Sequence, residues 1–173
     1  MPVFISYRAK DREIALKIAR KFREYSIEFY LDVIDEESIN STSNITEIIT
    51  KNIKRCTHLI VIISPNTKGS WWVPFEIGEA NIINRRICSF AYNTNGYSLT
   101  KSNMYLYKSF LPEYLHKWPI LLNEKDVDNF ILRYNQDNRN NVLLDSINGD
   151  SNRFGTLTKE GADDFHNKLK AML

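Results

Sequence analysis

Apolar positions along this 173-residue chain change their period several times. Short unbroken apolar runs alternate with segments whose apolar residues recur every three or four positions. Val3–Ser6 is the first run and predicts strand one. Across 11–25, Ile14, Ala15, Ile18, Ala19 and Phe22 line one face of a helix. Residues 27–33 are β-branched and aromatic and predict strand two. The stretch 35–44 is polar and reads as a loop. Ile45, Ile48, Ile49 and Ile53 then form a second helical stripe, with Asn44 placed to cap it. Residues 58–64 are apolar without alternation, as a parallel strand buried on both faces requires. A third helix runs from about 71 to 86, and 87–92 predicts strand four. Residues 93–109 are polar and tyrosine-rich, show no clear period and read as a cover. Strand five falls at 118–122 and a helix at 126–134. The asparagine-rich stretch 136–141 reads as exposed. A terminal helix over 159–173 carries Phe165, Leu169 and Met172 on one side.

Strands alternating with helices of this length predict an α/β fold, with a five-stranded parallel sheet and helices on both faces. Right-handed crossovers leave few topologies, of which a flavodoxin-like order fits best. The sheet domain is expected over 1–122, and 123–173 as a helical extension packed on it. Such sheets bind ligands beyond the carboxyl ends of their strands, at the switch point beside strand one. The residues delivered to that rim are Ser6, Tyr7 and Arg8 after strand one, Asp32 after strand two and Ser64 after strand three.

The third helix starts at the same rim. At about 100° per residue, Pro74, Asn81 and Arg85 group on one side, the expected wet one. Trp72, Glu76, Glu79 and Ile83 group on another, so Glu76 points away from solvent and must be paired, protonated or lining a cavity. Pro74 suits a first helical turn, and Ser70 can cap it. A carboxylate early in a helix also complements the helix dipole, and a lone tryptophan is often simply core. Their coincidence at the switch point favours a site in which Trp72 stacks on a planar ring and Glu76 steadies a positive charge.

Composition narrows the alternatives. The net charge of +2 makes no global electrostatic case for nucleic acid or membrane. Lysines and arginines crowd 10–23 but share their helix with Asp11, Glu13 and Glu24, which reads as a solvated face. The two cysteines, Cys56 and Cys88, are isolated in or beside strands and read as buried free thiols of a reducing compartment. Strand one opens so early that no signal peptide is expected, and a cytoplasmic location is. No glycine-rich phosphate loop and no G-x-S-x-G elbow occurs. His58, His116 and His166 lack metal-ligand spacing, so no metal is expected.

Four motifs resemble a known family. Phe4-Ile-Ser-Tyr-Arg-Ala-Lys-Asp11, Tyr30-Leu-Asp32, Leu59-Ile-Val-Ile-Ile-Ser-Pro65 and Trp72-Val-Pro-Phe-Glu76 stand in the order and spacing of a TIR domain of the bacterial type, over 1–122. The resemblance implies an enzyme that consumes NAD+ as substrate, with no separate cofactor. It carries the catalytic role to Glu76, the preceding aromatic to Trp72, and nucleotide-pocket roles to Ser6, Tyr7 and Arg8. Aromatic Tyr7 departs from common members, where small or charged residues are frequent. The loop 35–44 matches a mobile loop that mediates contact between TIR domains. A single glutamate suffices chemically. Glycosidases need a second carboxyl group to protonate a leaving oxygen, whereas cationic nicotinamide leaves neutral. What remains is an oxocarbenium-like transition state that one anionic carboxylate can stabilise.

The presence of an extension after strand five, and the segment 111–120, resemble the stand-alone, signal-making component of Thoeris antiviral systems. That likeness implies an ADP-ribose-derived, cyclic product that activates a separate effector protein. Two other readings stay open: a non-catalytic adaptor acting through 35–44, and a related enzyme acting on free nucleosides.

Overall fold

The computed structural model describes residues 1–31, 45–93, 100, 102, 113–148 and 157–173. Five parallel strands run in the order β2-β1-β3-β4-β5. They are β1 (Val3–Ser6), β2 (Phe29–Leu31), β3 (His58–Ile63), β4 (Arg86–Ala91) and β5 (Ile120–Leu121). The helices are α1 (Arg12–Glu24), α2 (Ile45–Arg55), α3 (Trp72–Ile82), α4 (Glu124–Asn148) and α5 (Lys159–Met172). This is the flavodoxin-like order expected from the alternation of runs, with the switch point between β1 and β3. All six residues of β3 are buried, which accounts for its lack of alternation.

Because neighbouring residues of a strand face opposite sides, the sheet sorts its side chains into two cores. Phe4, Leu59, Val61, Ile63, Ile87 and Ala91 pack with Ile49 and Ile53 of α2 and with Val73, Ile77 and Ala80 of α3. Val3, Ile5, Ile60, Ile62 and Cys88 pack with Ala15, Ile18, Ala19 and Phe22 of α1. Val127, Phe130 and Ile131 of α4 and Phe165 and Leu169 of α5 complete that second core.

Two helices end alike. Ser26 and Asn84 adopt left-handed φ values of 56° and 55°. The amide after each reaches back five residues, Ile27 to the Phe22 carbonyl and Arg85 to the Ala80 carbonyl, both at 2.9 Å. This termination corrects two expectations. Helix α3 stops at Ile82 instead of 86, and Arg85 is buried instead of wet. The Arg85 guanidinium donates to the carbonyls of Ile53, Lys54 and Ile83, and so caps the carboxyl ends of α2 and α3 together.

The stretch 136–141 is also corrected: it continues α4, and Asp137 is buried against the Arg86 Nε at 2.9 Å. Strand β5 is only two residues long. Below it the outer edge of β4 is closed by other means, the Ile87 amide donating to His166 Nε2 of α5 at 2.8 Å. Expectations for Asp32, 35–44, 94–99 and 103–112 fall outside the described residues. Among the described residues no helix is long and apolar enough to cross a membrane.

Candidate active site

Helix α3 buries Val73, Glu76, Ile77 and Ala80, positions that share one side at helical spacing. Glu76 is 0 % exposed and so lies with the apolar residues that pack on the sheet. Trp72, one turn earlier, is half-buried at the margin of that core and meets Phe75 edge-to-face at 6.2 Å.

The sheet answers with polar groups of its own. Ser6, Val61 and Ser89 are in register across β1, β3 and β4, so their side chains share a face. Val61 packs in the core with Val73, Ile77 and Ala80, which sets both serines on the face covered by α3. Ser6 and Ser89 are fully buried, and neither hydroxyl has a hydrogen-bond partner among the described residues. Leaving a hydroxyl so buried costs about 1–3 kcal/mol. One carboxylate and two unsatisfied hydroxyls therefore occupy a single apolar layer, an arrangement that stability alone disfavours.

At the carboxyl rim a second polar group forms around Asp11, itself 1 % exposed. Its Oδ2 accepts from Ser64 Oγ at 2.8 Å, and its Oδ1 accepts from Asn66 Nδ2 and Tyr92 Oη, each at 2.6 Å. Burial, and then the bond to Asp11, push the Tyr92 hydroxyl pKa up. Ser64 Oγ also accepts from the Asn66 amide, and the Ser64 amide donates to Thr67 Oγ1. Arg8 Nη1 donates to the Asn66 carbonyl at 3.0 Å. Gly69, at φ +82°, supplies the left-handed residue that the turn into α3 requires. The connection from β3 to α3 is thus tied to the β1 rim by Asp11 and Arg8. The start of α3, and with it Trp72 and Glu76, is positioned from that rim.

A family model described as TIR domain matches residues 3–94, just over half of the chain. The chain belongs to the TIR domain family. No curated protein matches the sequence. The matched span of the TIR domain runs from β1 through β4 and contains Glu76, Trp72, the serine row and the Asp11 cluster.

Within this TIR domain the residues singled out from sequence divide into groups. Ser6 and Glu76 share one sheet face, with Trp72 at its margin. Tyr7 packs against the core on the opposite side of the sheet. Arg8 and Ser64 hold the β3–α3 connection. Asp32 lies outside the described residues. Sequence reasoning missed Ser89, whose signal was a lone hydroxyl inside an apolar strand. It also missed Asp11 as a buried acceptor and Tyr92 as its donor. Neither cysteine offers a nucleophile: both are free and buried, and burial raises the thiol pKa of Cys56 to about 12 and that of Cys88 further.

Proposed function

We propose that the chain is an enzyme that breaks the nicotinamide–ribose bond of NAD+, with Glu76 as the catalytic carboxylate. The observation that carries this reading is the complete burial of Glu76 on α3 of a TIR domain, in the layer that also holds the Ser6 and Ser89 hydroxyls. An anionic carboxylate in a dry layer stabilises a developing ribosyl cation far more than it would in water. Trp72 offers a flat surface for the departing ring. Ser6 offers a buried hydroxyl for the sugar; Tyr7, Arg8, Asp32 and Ser64 complete the proposed nucleotide-binding rim, Arg8 and Ser64 by holding the loop before α3. The acceptor is water or the adenine of the same molecule, giving ADP-ribose or a cyclic isomer. An enzyme of this kind, like the signal-making component of Thoeris, acts in antiviral defence by activating a separate effector through its product. Self-association of TIR domains through 35–44 is part of the same reading.

The test is chromatography with mass spectrometry of NAD+ incubated with the purified chain, with and without lysate from phage-infected cells. Nicotinamide release is expected, and Glu76→Gln is expected to lower it by about 10²-fold or more. Unchanged turnover in Glu76→Gln overturns the assignment.

One observation favours a second reading, a non-catalytic interaction module. Trp71 and Ile82 stand 87 % and 77 % exposed on the outer side of α3, an apolar surface suited to a partner. Under that reading Trp71→Ala abolishes function in cells while Glu76→Gln is silent.

A further inference from the structure

A cavity of about 540 Å³ opens at the opposite rim of the sheet, where β4 begins. Its walls come from the end of α3, the turn before β5 and one face of α5. His166 stands in this wall and is 6 % exposed. Its Nε2 accepts the Ile87 amide, so the ring proton of the neutral imidazole sits on Nδ1. Among the described residues no group accepts from that Nδ1–H. Lys117 holds its ammonium 4.2 Å from the Trp118 ring centroid, and Lys159 stands exposed on the first turn of α5. Among the described residues neither lysine has a carboxylate within ion-pair distance. Arg85 adds a third cation; three of its N–H donors are spent on backbone carbonyls, so its main contribution is charge. Asp163 is the one carboxylate among the described residues of the wall. Three cations against one carboxylate make the described lining net positive.

We infer that this cavity is a second ligand site, built for a small molecule that bears a phosphate group. Lys117 and Lys159 supply the attraction, and His166 Nδ1–H is the fixed donor that orients one oxygen. A phosphate presents several acceptor oxygens to such a set of donors, and charge-assisted bonds of this kind are the strong ones. The volume falls in the range of small-molecule sites. The site shares no residue with the Glu76 layer and stands whether or not the chain cleaves NAD+. Asn81, at the far end of α3, is in the wall, so a bound ligand braces the helix that carries Glu76 against α5.

The test titrates the full chain with AMP and, separately, with inorganic phosphate, followed by calorimetry and by the His166 imidazole resonances. Saturable binding of AMP that shifts the His166 resonances is expected. Competition by inorganic phosphate assigns recognition to the phosphate alone; AMP binding without competition assigns the nucleoside as well, and both support the site. Replacing Lys117 and Lys159 together by alanine is expected to weaken AMP about tenfold or more, with the melting temperature of the unliganded chain unchanged. His166→Gln keeps an acceptor for the Ile87 amide, lacks the Nδ1–H and is expected to weaken binding as well. Glu76→Gln is expected to bind as the wild type does. Absence of saturable binding by either probe, indifference to the double lysine replacement, or loss of binding in Glu76→Gln overturns the inference. The last outcome moves the ligand to the catalytic layer.

Discussion

Asp11 shows how a single side chain resists reading from its neighbours. Lys10, Arg12 and Glu13 around it are exposed, so the local pattern is that of a solvated helix start. Its burial is created by Ser64, Asn66 and Tyr92, which lie 53, 55 and 81 positions away. Glu76 was legible because the helical period turns it away from Pro74 and Asn81, which are indeed exposed. The consequence for Asp11 is measurable. Tyr92→Phe removes one donor and leaves an apolar ring of nearly the same shape, and is expected to cost about 1–2 kcal/mol. Asp11→Ala strips the acceptor from three donors at once and is expected to cost about 3 kcal/mol or more. Urea unfolding followed by circular dichroism separates the two. Equal losses would show that the three bonds do not act as a cluster.

At the scale of elements, the signals that succeeded were local periods. The unbroken run of β3 and the stripes of α1 and α2 each announce an element and the face it buries. The errors came where a distant partner decides. The asparagine-rich stretch looked exposed because Asp137 looks solvated until Arg86, on β4, is brought against it. The edge of β4 looked like the place for a longer fifth strand, yet a histidine from α5 closes it. That closure carries a pH dependence. Burial lowers the His166 pKa from 6.5 to about 4, and only the unprotonated Nε2 accepts from the Ile87 amide. Between those values the unfolded chain holds a proton that the folded chain refuses. Stability is therefore fully present above pH 6.5 and falls as the pH drops toward 4. His58, fully buried and lowered in the same sense, adds to the trend in every variant. Comparing urea midpoints at several pH values isolates His166: the wild type is expected to lose stability relative to His166→Gln on acidification. Parallel pH profiles would remove His166 as the titrating group.

For the whole molecule, the question is whether the sheet can stand without the helices that follow it. The family match ends at residue 94, and the pattern placed a boundary at 122. The packing argues that neither position is a point at which the chain can be cut. Removing everything after Leu122 takes away Val127, Phe130, Ile131, Phe165 and Leu169, all of them buried on the face of β1, β3 and β4 opposite Glu76. At about 1.5–3 kcal/mol for each buried side chain, the loss is on the order of 10 kcal/mol. That equals the entire stability of an ordinary domain, about 5–15 kcal/mol. The same cut leaves Arg86 buried without Asp137 and the Ile87 amide without His166. It also uncovers an apolar sheet face, which drives association. A chain ending at Leu122 is therefore expected to be insoluble, or to show no cooperative thermal transition by circular dichroism, even though it contains every residue of the proposed catalytic layer. A soluble, cooperatively melting fragment would mean that α1 alone can cover that face. The catalytic layer would then stand independently of α4 and α5, and any influence of the second cavity on Glu76 would have to pass through α3 alone.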